Sequence, residues 1–163
     1  MAQLVGHQHG KANVRLGRVW REGNVHTFVE WTVNTVLESD MAHAYLDGTN
    51  DGMTPTDTQK NTVYYMAKRL GPRAAPEDFA VALAKHFVAT YPKVSKAKVS
   101  VCEAPWQRHT PCGHAHDHGY EMNGSGSRTA YAEHDDLDIT IVHGGIKDWR
   151  LLKTTQSGYE GAL

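Results

Sequence analysis

Thr56-Asp57-Thr58-Gln59-Lys60-Asn61-Thr62-Val63-Tyr64 is the stretch on which the fold turns. A polar loop over residues 49–55 leads into it. Thr56-x-x-Gln59 has the form of a capping box, in which the hydroxyl takes the third helical amide and the glutamine reaches back. Val63, Met66, Ala67 and Leu70 then recur at helical spacing, and Gly71 ends the pattern. The spacing predicts a helix that opens at Thr56.

Upstream, Ala12, Val14, Leu16 and Trp20 alternate, as do Val25, Val29, Trp31, Val33 and Leu37, with a turn at Glu22-Gly23-Asn24 between them. Period-2 alternation on both sides of a turn predicts a long antiparallel hairpin. Residues 40–46 form a short helical stretch closed by Asp47-Gly48. Downstream, Pro76 opens a second helix with Phe79, Leu83, Phe87 and Thr90 or Tyr91 on one stripe, and Pro92 closes it. A third strand is expected over 94–106, then a histidine-rich bend over 109–118 and a shorter strand around Tyr120. Two further strands are expected over 128–142 and 146–154, joined at Gly144-Gly145. The order is β-β-α-α-β-β followed by a second β-β, an α+β pattern. It divides into a first unit over 8–122, a Gly/Ser linker over 123–127 and the opening hairpin of a second unit over 128–163.

A net charge of -1 favours neither nucleic acid nor an anionic membrane, and no apolar run is long enough to span a bilayer. Hydrophobic content of 40% with 21% charged residues is globular in character rather than disordered. Cys102 and Cys112 form neither a redox pair nor a disulfide framework, and neither terminus reads as a targeting signal. The expectation is a protein of the reducing cytoplasm.

The element order, with the Thr56–Tyr64 stretch, Gly10-Lys11 ahead of Val14-Arg15, Glu103-Ala104-Pro105-Trp106, His116-Asp117-His118, Gly145-Ile146-Lys147-Asp148 and Leu152-Lys153-Thr154-Thr155-Gln156-Ser157-Gly158, resembles the urate oxidases (uricases). The resemblance implies the tunnelling fold, or T-fold. In it, helices cover one face of an antiparallel sheet, and oligomerisation, expected as a homotetramer, closes the barrel. It implies oxidation of urate by O2 and water to 5-hydroxyisourate and hydrogen peroxide, without metal or organic cofactor, at a site shared between subunits.

The same resemblance pairs Lys11 with Thr56 in a proton relay. A hydroxyl alone is a poor base near neutral pH, and an amine whose charge is disfavoured by burial can take its proton. Thr56 and Asp57 are implied to meet the purine from the neighbouring subunit, and Tyr159, where the family commonly carries Phe, to stack on it. Against these stand plainer readings: a solvated Lys11, a capping Thr56, a first-turn Asp57 that complements the helix dipole, and an exposed loop Tyr159. Lys60 and Asn61, one turn into the helix, would contact a neighbouring subunit or lie on a solvated face. The relay histidine, an arginine, a glutamine and an asparagine of the family site belong to a second half, so the expectation is a fragment of a longer enzyme, with one of two separately made halves or a degenerate inactive product as the alternatives. His114, His116 and His118 alternate near Cys112, which on a strand suits zinc. A zinc-dependent T-fold enzyme acting on a pterin-like ring is therefore one alternative, and a non-catalytic purine-binding module is another.

Overall fold

The computed structural model of the chain describes residues 3–71, 73–122, 124–156 and 158. Strands β1 (His9–Glu22) and β2 (Val25–Ser39) form the expected hairpin, with Gly23 at positive φ in its two-residue loop. A short helix α1 (Ala42–Leu46) precedes the two long ones, α2 (Thr56–Arg69) and α3 (Pro76–Thr90). Strand β3 (Val94–Glu103) follows, then a small two-stranded hairpin of β4 (Trp106–Arg108) and β5 (Tyr120–Met122), and finally β6 (Ser127–Asp135) and β7 (Thr140–Lys147). The main sheet runs β1-β2-β3-β6-β7 and is antiparallel throughout. Among the described residues no helix is long and apolar enough to cross a membrane.

The core lies between one face of this sheet and the two long helices. Trp31, Val33 and Leu37 of β2 and Ala97, Val99 and Val101 of β3 meet Val63 of α2 and Phe79, Leu83 and Phe87 of α3, all buried. Trp31 stacks on Phe79 with ring centroids 4.9 Å apart, and its indole N–H donates to Glu103 at 2.6 Å. The buried tryptophan thus withdraws a large apolar area from water while its one donor stays satisfied.

Three expectations change. Ala12 is exposed, because the β1–β2 register shifts between Lys11 and Val14. The extra residues form a β-bulge with Asn13 at φ 56, held by its amide donating to Asn34 Oδ1 at 2.8 Å. Before the bulge Lys11 lies opposite Thr35, and after it Val14 lies opposite Val33. Unbroken alternation would put Lys11 and Val14 on opposite faces; the bulge puts both on the helix-bearing one.

Second, the chain does not reverse at Gly144-Gly145. Asp135 Oδ1 accepts the amides of Leu137 and Ile139 at 3.1 and 3.0 Å, and Asp138 takes φ 61, so the turn forms over 136–139. Gly144 instead lies within β7, where a Cβ would come 3.0 Å from the Glu77 carboxylate at the start of α3. Residues 148–156, expected in part as strand, carry none. Third, the Gly/Ser stretch is no boundary in the sheet. It returns the chain from the β4–β5 hairpin to β6, which pairs with β3 and packs under α3. The fourth sheet strand is therefore β6 and not the Tyr120 arm.

On the face away from the helices, Tyr131 donates to Glu133 at 2.9 Å, and Lys96 pairs with the same carboxylate at 2.9 Å. Burial, and then that hydrogen bond, push the Tyr131 phenol up to about 12. The phenol is an acid weakened by folding, so its contribution is whole below its unfolded value of about 10 and is lost as pH climbs from there toward 12. Tyrosinate absorbance is expected to show an ionisation step near pH 12 that Tyr131→Phe removes. Between about pH 10 and 12 the urea midpoint should fall more steeply in the parent than in that variant. Equal slopes would disprove the linkage.

Candidate active site

Helix α2 does not open with a capping box. Its N-cap is Pro55, no side chain caps it, and the first helical bond is Gln59 N–H to the Pro55 carbonyl at 3.0 Å. Gln59 is completely buried. Its Oε1 accepts from Thr35 Oγ1 at 2.8 Å and its Nε2 donates to the Thr54 carbonyl at 3.4 Å. The glutamine expected to reach back to Thr56 is committed to the sheet, because Thr35 lies directly beneath it and would otherwise be a buried hydroxyl without a partner. His9 Nε2 also donates to the Thr54 carbonyl, at 3.0 Å. The loop before α2 is thereby tied to both strands of the hairpin.

These ties bring Lys11 to the mouth of α2. Thr35, whose hydroxyl holds Gln59, is the ladder partner of Lys11. Gly10, the preceding residue, runs so close that a Cβ would fall 2.0 Å from the Thr35 carbonyl oxygen. Lys11 is half-buried, while Thr56 and Asp57 are exposed. Among the described residues neither the Lys11 amine nor the Thr56 hydroxyl has a hydrogen-bond partner.

Asp57 takes Lys60 Nζ at 2.7 Å and Asn61 Nδ2 at 3.3 Å. Lys60 and Asn61 thus serve to hold Asp57. The Lys60 hydrogen bond and charge keep that carboxyl below its usual range, and the charge of Lys11 adds to the effect. Lys11 is therefore electrostatically in view of Asp57 without an ion pair to it. A cleft of about 280 Å³ runs beside Lys11 between residues 8–12 and 34–36; Thr56 and Asp57 are not among its lining residues. The amides of Thr56, Asp57 and Thr58 lack backbone partners, as the first turn of a helix must. Unpaired amides and a hydroxyl at the positive end of a helix favour an anion, and an amine whose charge is felt in that first turn adds to the effect.

Tyr159 lies outside the described residues. The histidines that suggested zinc do not lie on a strand: a 3-10 turn at Pro111–Gly113 and bends break the alternation. His116 Nδ1 accepts the amides of His118 and Gly119 at 3.0 and 2.8 Å. His118 instead meets His26, ring centroids 4.6 Å apart. Among the described residues no group of three His, Cys, Asp or Glu side chains is placed to hold a metal ion. Arg108 organises this bend by donating to the carbonyls of His26, His116 and Asp117.

The uricase family model matches residues 7–133. The chain belongs to the uricase family. It is 43% identical over 155 residues to a uricase of Arabidopsis thaliana, covering 94% of this chain and 50% of that protein. To a uricase of Danio rerio it is 37% identical over 155 residues, covering 95% and 52%. The solved uricase of Arthrobacter globiformis superposes with a TM-score of 0.84 at 30% identity, over 100% of this chain and 56% of that one. A uricase from Bacillus fastidious superposes at 0.76 with 18% identity, a likeness of fold alone. The fold is that of the uricase T-fold domains, and this uricase-family chain spans about half the length of the curated relatives it matches.

Pairing leaves Gln59 and Thr35 mutually dependent. Gln59→Leu is expected to cost about 1–3 kcal/mol, because Thr35 keeps a buried hydroxyl without its partner. Adding Thr35→Val should recover part of the loss, giving a coupling above about 0.5 kcal/mol in a double-mutant denaturation cycle. Strict additivity would show that the bond does not join sheet to helix.

Proposed function

We propose that this chain provides one wall of a urate-oxidising site and half of its proton relay. The observation that carries the reading is that the charge of Lys11, whose amine has no hydrogen-bond partner among the described residues, is felt by Asp57 in the first turn of α2, where Thr56 offers a hydroxyl likewise unengaged among them. Urate is a flat acid that reacts with O2 once deprotonated; with water it yields 5-hydroxyisourate and hydrogen peroxide. No reacting group need come from a cofactor in this scheme: the protein binds the ring and moves protons. The unpaired amides at Thr56 and Asp57 suit an anionic edge of the ring, and Lys11 draws the proton through Thr56. Tyr159 is assigned the stacking face.

The other wall comes from a neighbouring subunit of a homotetramer, whose sheets meet edge to edge around a tunnel. The exposed Ile141, Val142, Ile146, Leu151 and Leu152 on and after β7 support an extension of the structure at that edge. With β6 as the fourth strand of the first repeat, β7 then begins the second, sharing a continuous sheet with the first. Both cysteines are free thiols, in keeping with a reducing cytoplasm.

Co-expression with the half of a full-length relative that the chain does not span is expected to restore loss of urate absorbance with matching peroxide. Lys11→Met and Thr56→Ala should each lower kcat by about a hundredfold or more, with KM moving less than about tenfold. Unchanged kcat in both variants would reject the relay. Urate bound without peroxide would assign the chain to purine binding alone.

A further inference from the structure

The sheet face opposite the helices carries a cavity of about 350 Å³ over β2, β3, β6 and β7, one register step from Thr35, with Asn34 lining both it and the cleft beside Lys11. Register fixes its floor. Asn34, Ser100, Tyr131 and His143 stand in one line across the four strands. Cys102, Thr129 and Gly145 form the next line. Gly145 has no side chain, so the floor is open between His143 and Lys147 on β7, and a Cβ there would already touch Thr129 Oγ1 at 3.4 Å.

The chemistry of the lining is one-sided. No Asp or Glu lines the cavity, while Lys147 does. Among the described residues the hydroxyls of Ser100 and Thr129, the amide nitrogen of Asn34 and both ring nitrogens of His143 have no hydrogen-bond partner. The carboxylates of the same face are already engaged: Glu133 with Lys96 and Tyr131, and Glu38 with Lys98. Among the described residues the one ion-pair partner of Lys147 is Asp148, at 3.9 Å, and both are largely exposed. Neighbouring strands stand about 4.8 Å apart, so groups on adjacent strands can reach a single small ligand. Unpartnered donors with no carboxylate in the lining, beside one ammonium that the exposed Asp148 approaches only at 3.9 Å, are the complement of a multiply charged oxyanion.

We propose that this cavity binds a small oxyanion of the phosphate type, with Lys147 supplying the charge and Ser100, Thr129 and His143 the hydrogen bonds. The site opens on the sheet face away from the helices and requires none of Lys11, Thr56 or Asp57. Its chemistry is shared by free phosphate and by a phosphorylated metabolite.

The test titrates inorganic phosphate into the isotope-labelled full chain at constant ionic strength, with chloride as the control. Saturable amide shifts confined to residues around 100–102, 129–131 and 143–147 are expected with phosphate and absent with chloride. Lys147→Met, a change at an exposed side chain, should weaken phosphate about tenfold, as should Thr129→Val. Glycerol phosphate binding more tightly than phosphate would assign the site to a metabolite, and binding more weakly to the free anion. Equal shifts with chloride, no saturation, or unchanged affinity in both variants would overturn the proposal.

Discussion

A single buried hydrogen bond, from Thr35 Oγ1 to Gln59 Oε1 at 2.8 Å, joins the sheet to the mouth of α2. Both groups sit where water cannot reach them. Each would be costly alone and is satisfied by the other, so the junction specifies one position of the helix start relative to β2. An apolar pair would also fill the space, but it would tolerate sliding that a directional bond does not. The Thr54 carbonyl extends the constraint by accepting from both Gln59 and His9. The first turn of α2 is therefore fixed from both hairpin strands, although its own N-cap is a proline without a capping side chain.

The β-bulge is the second half of the same constraint. Without the register shift between Lys11 and Val14, either the amine or the apolar row of β1 would face away from α2. Asn13 adopts a left-handed conformation to make the shift, and the Asn34 side chain holds it there. Gly10 runs close against the Thr35 carbonyl, between His9, which reaches the Thr54 carbonyl, and Lys11, which lies opposite Thr35. Backbone irregularity at this point sets the face on which Lys11 stands, a use of bulges common beside active sites.

Much of this was legible in the sequence, and the failures have physical causes. Hairpin, both long helices and the apolar stripe Phe79–Leu83–Phe87 follow from periodicity, because burial on one face imposes that period. The bulge was invisible, since Ala12 and Val14 fit a regular alternation that skips Lys11. Thr35 interrupts the apolar row of Val33 and Leu37, and that interruption was the available signal for a buried partner. Gln59 satisfied a local motif and a tertiary one equally well. The tertiary bond won because water can serve an exposed helix end but cannot reach a buried hydroxyl. The Gly144-Gly145 pair read as a turn, but Asp135 supplies two side-chain bonds that set the reversal earlier. The resemblance to uricases nominated Lys11, Thr56 and Asp57 as candidates; spacing alone could not join residues so far apart in the chain.

The most direct measurement is the position of urate in crystals of the assembled protein grown without oxygen. The expected result is a ring seated at the first turn of α2, with the Thr56 hydroxyl and the Lys11 amine on the same side of it and linked directly or through one water. An ordered ring bound elsewhere, or Lys11 and Thr56 opening into separate cavities, would contradict the relay and, with it, the claim that the bond between Thr35 and Gln59 sets the site.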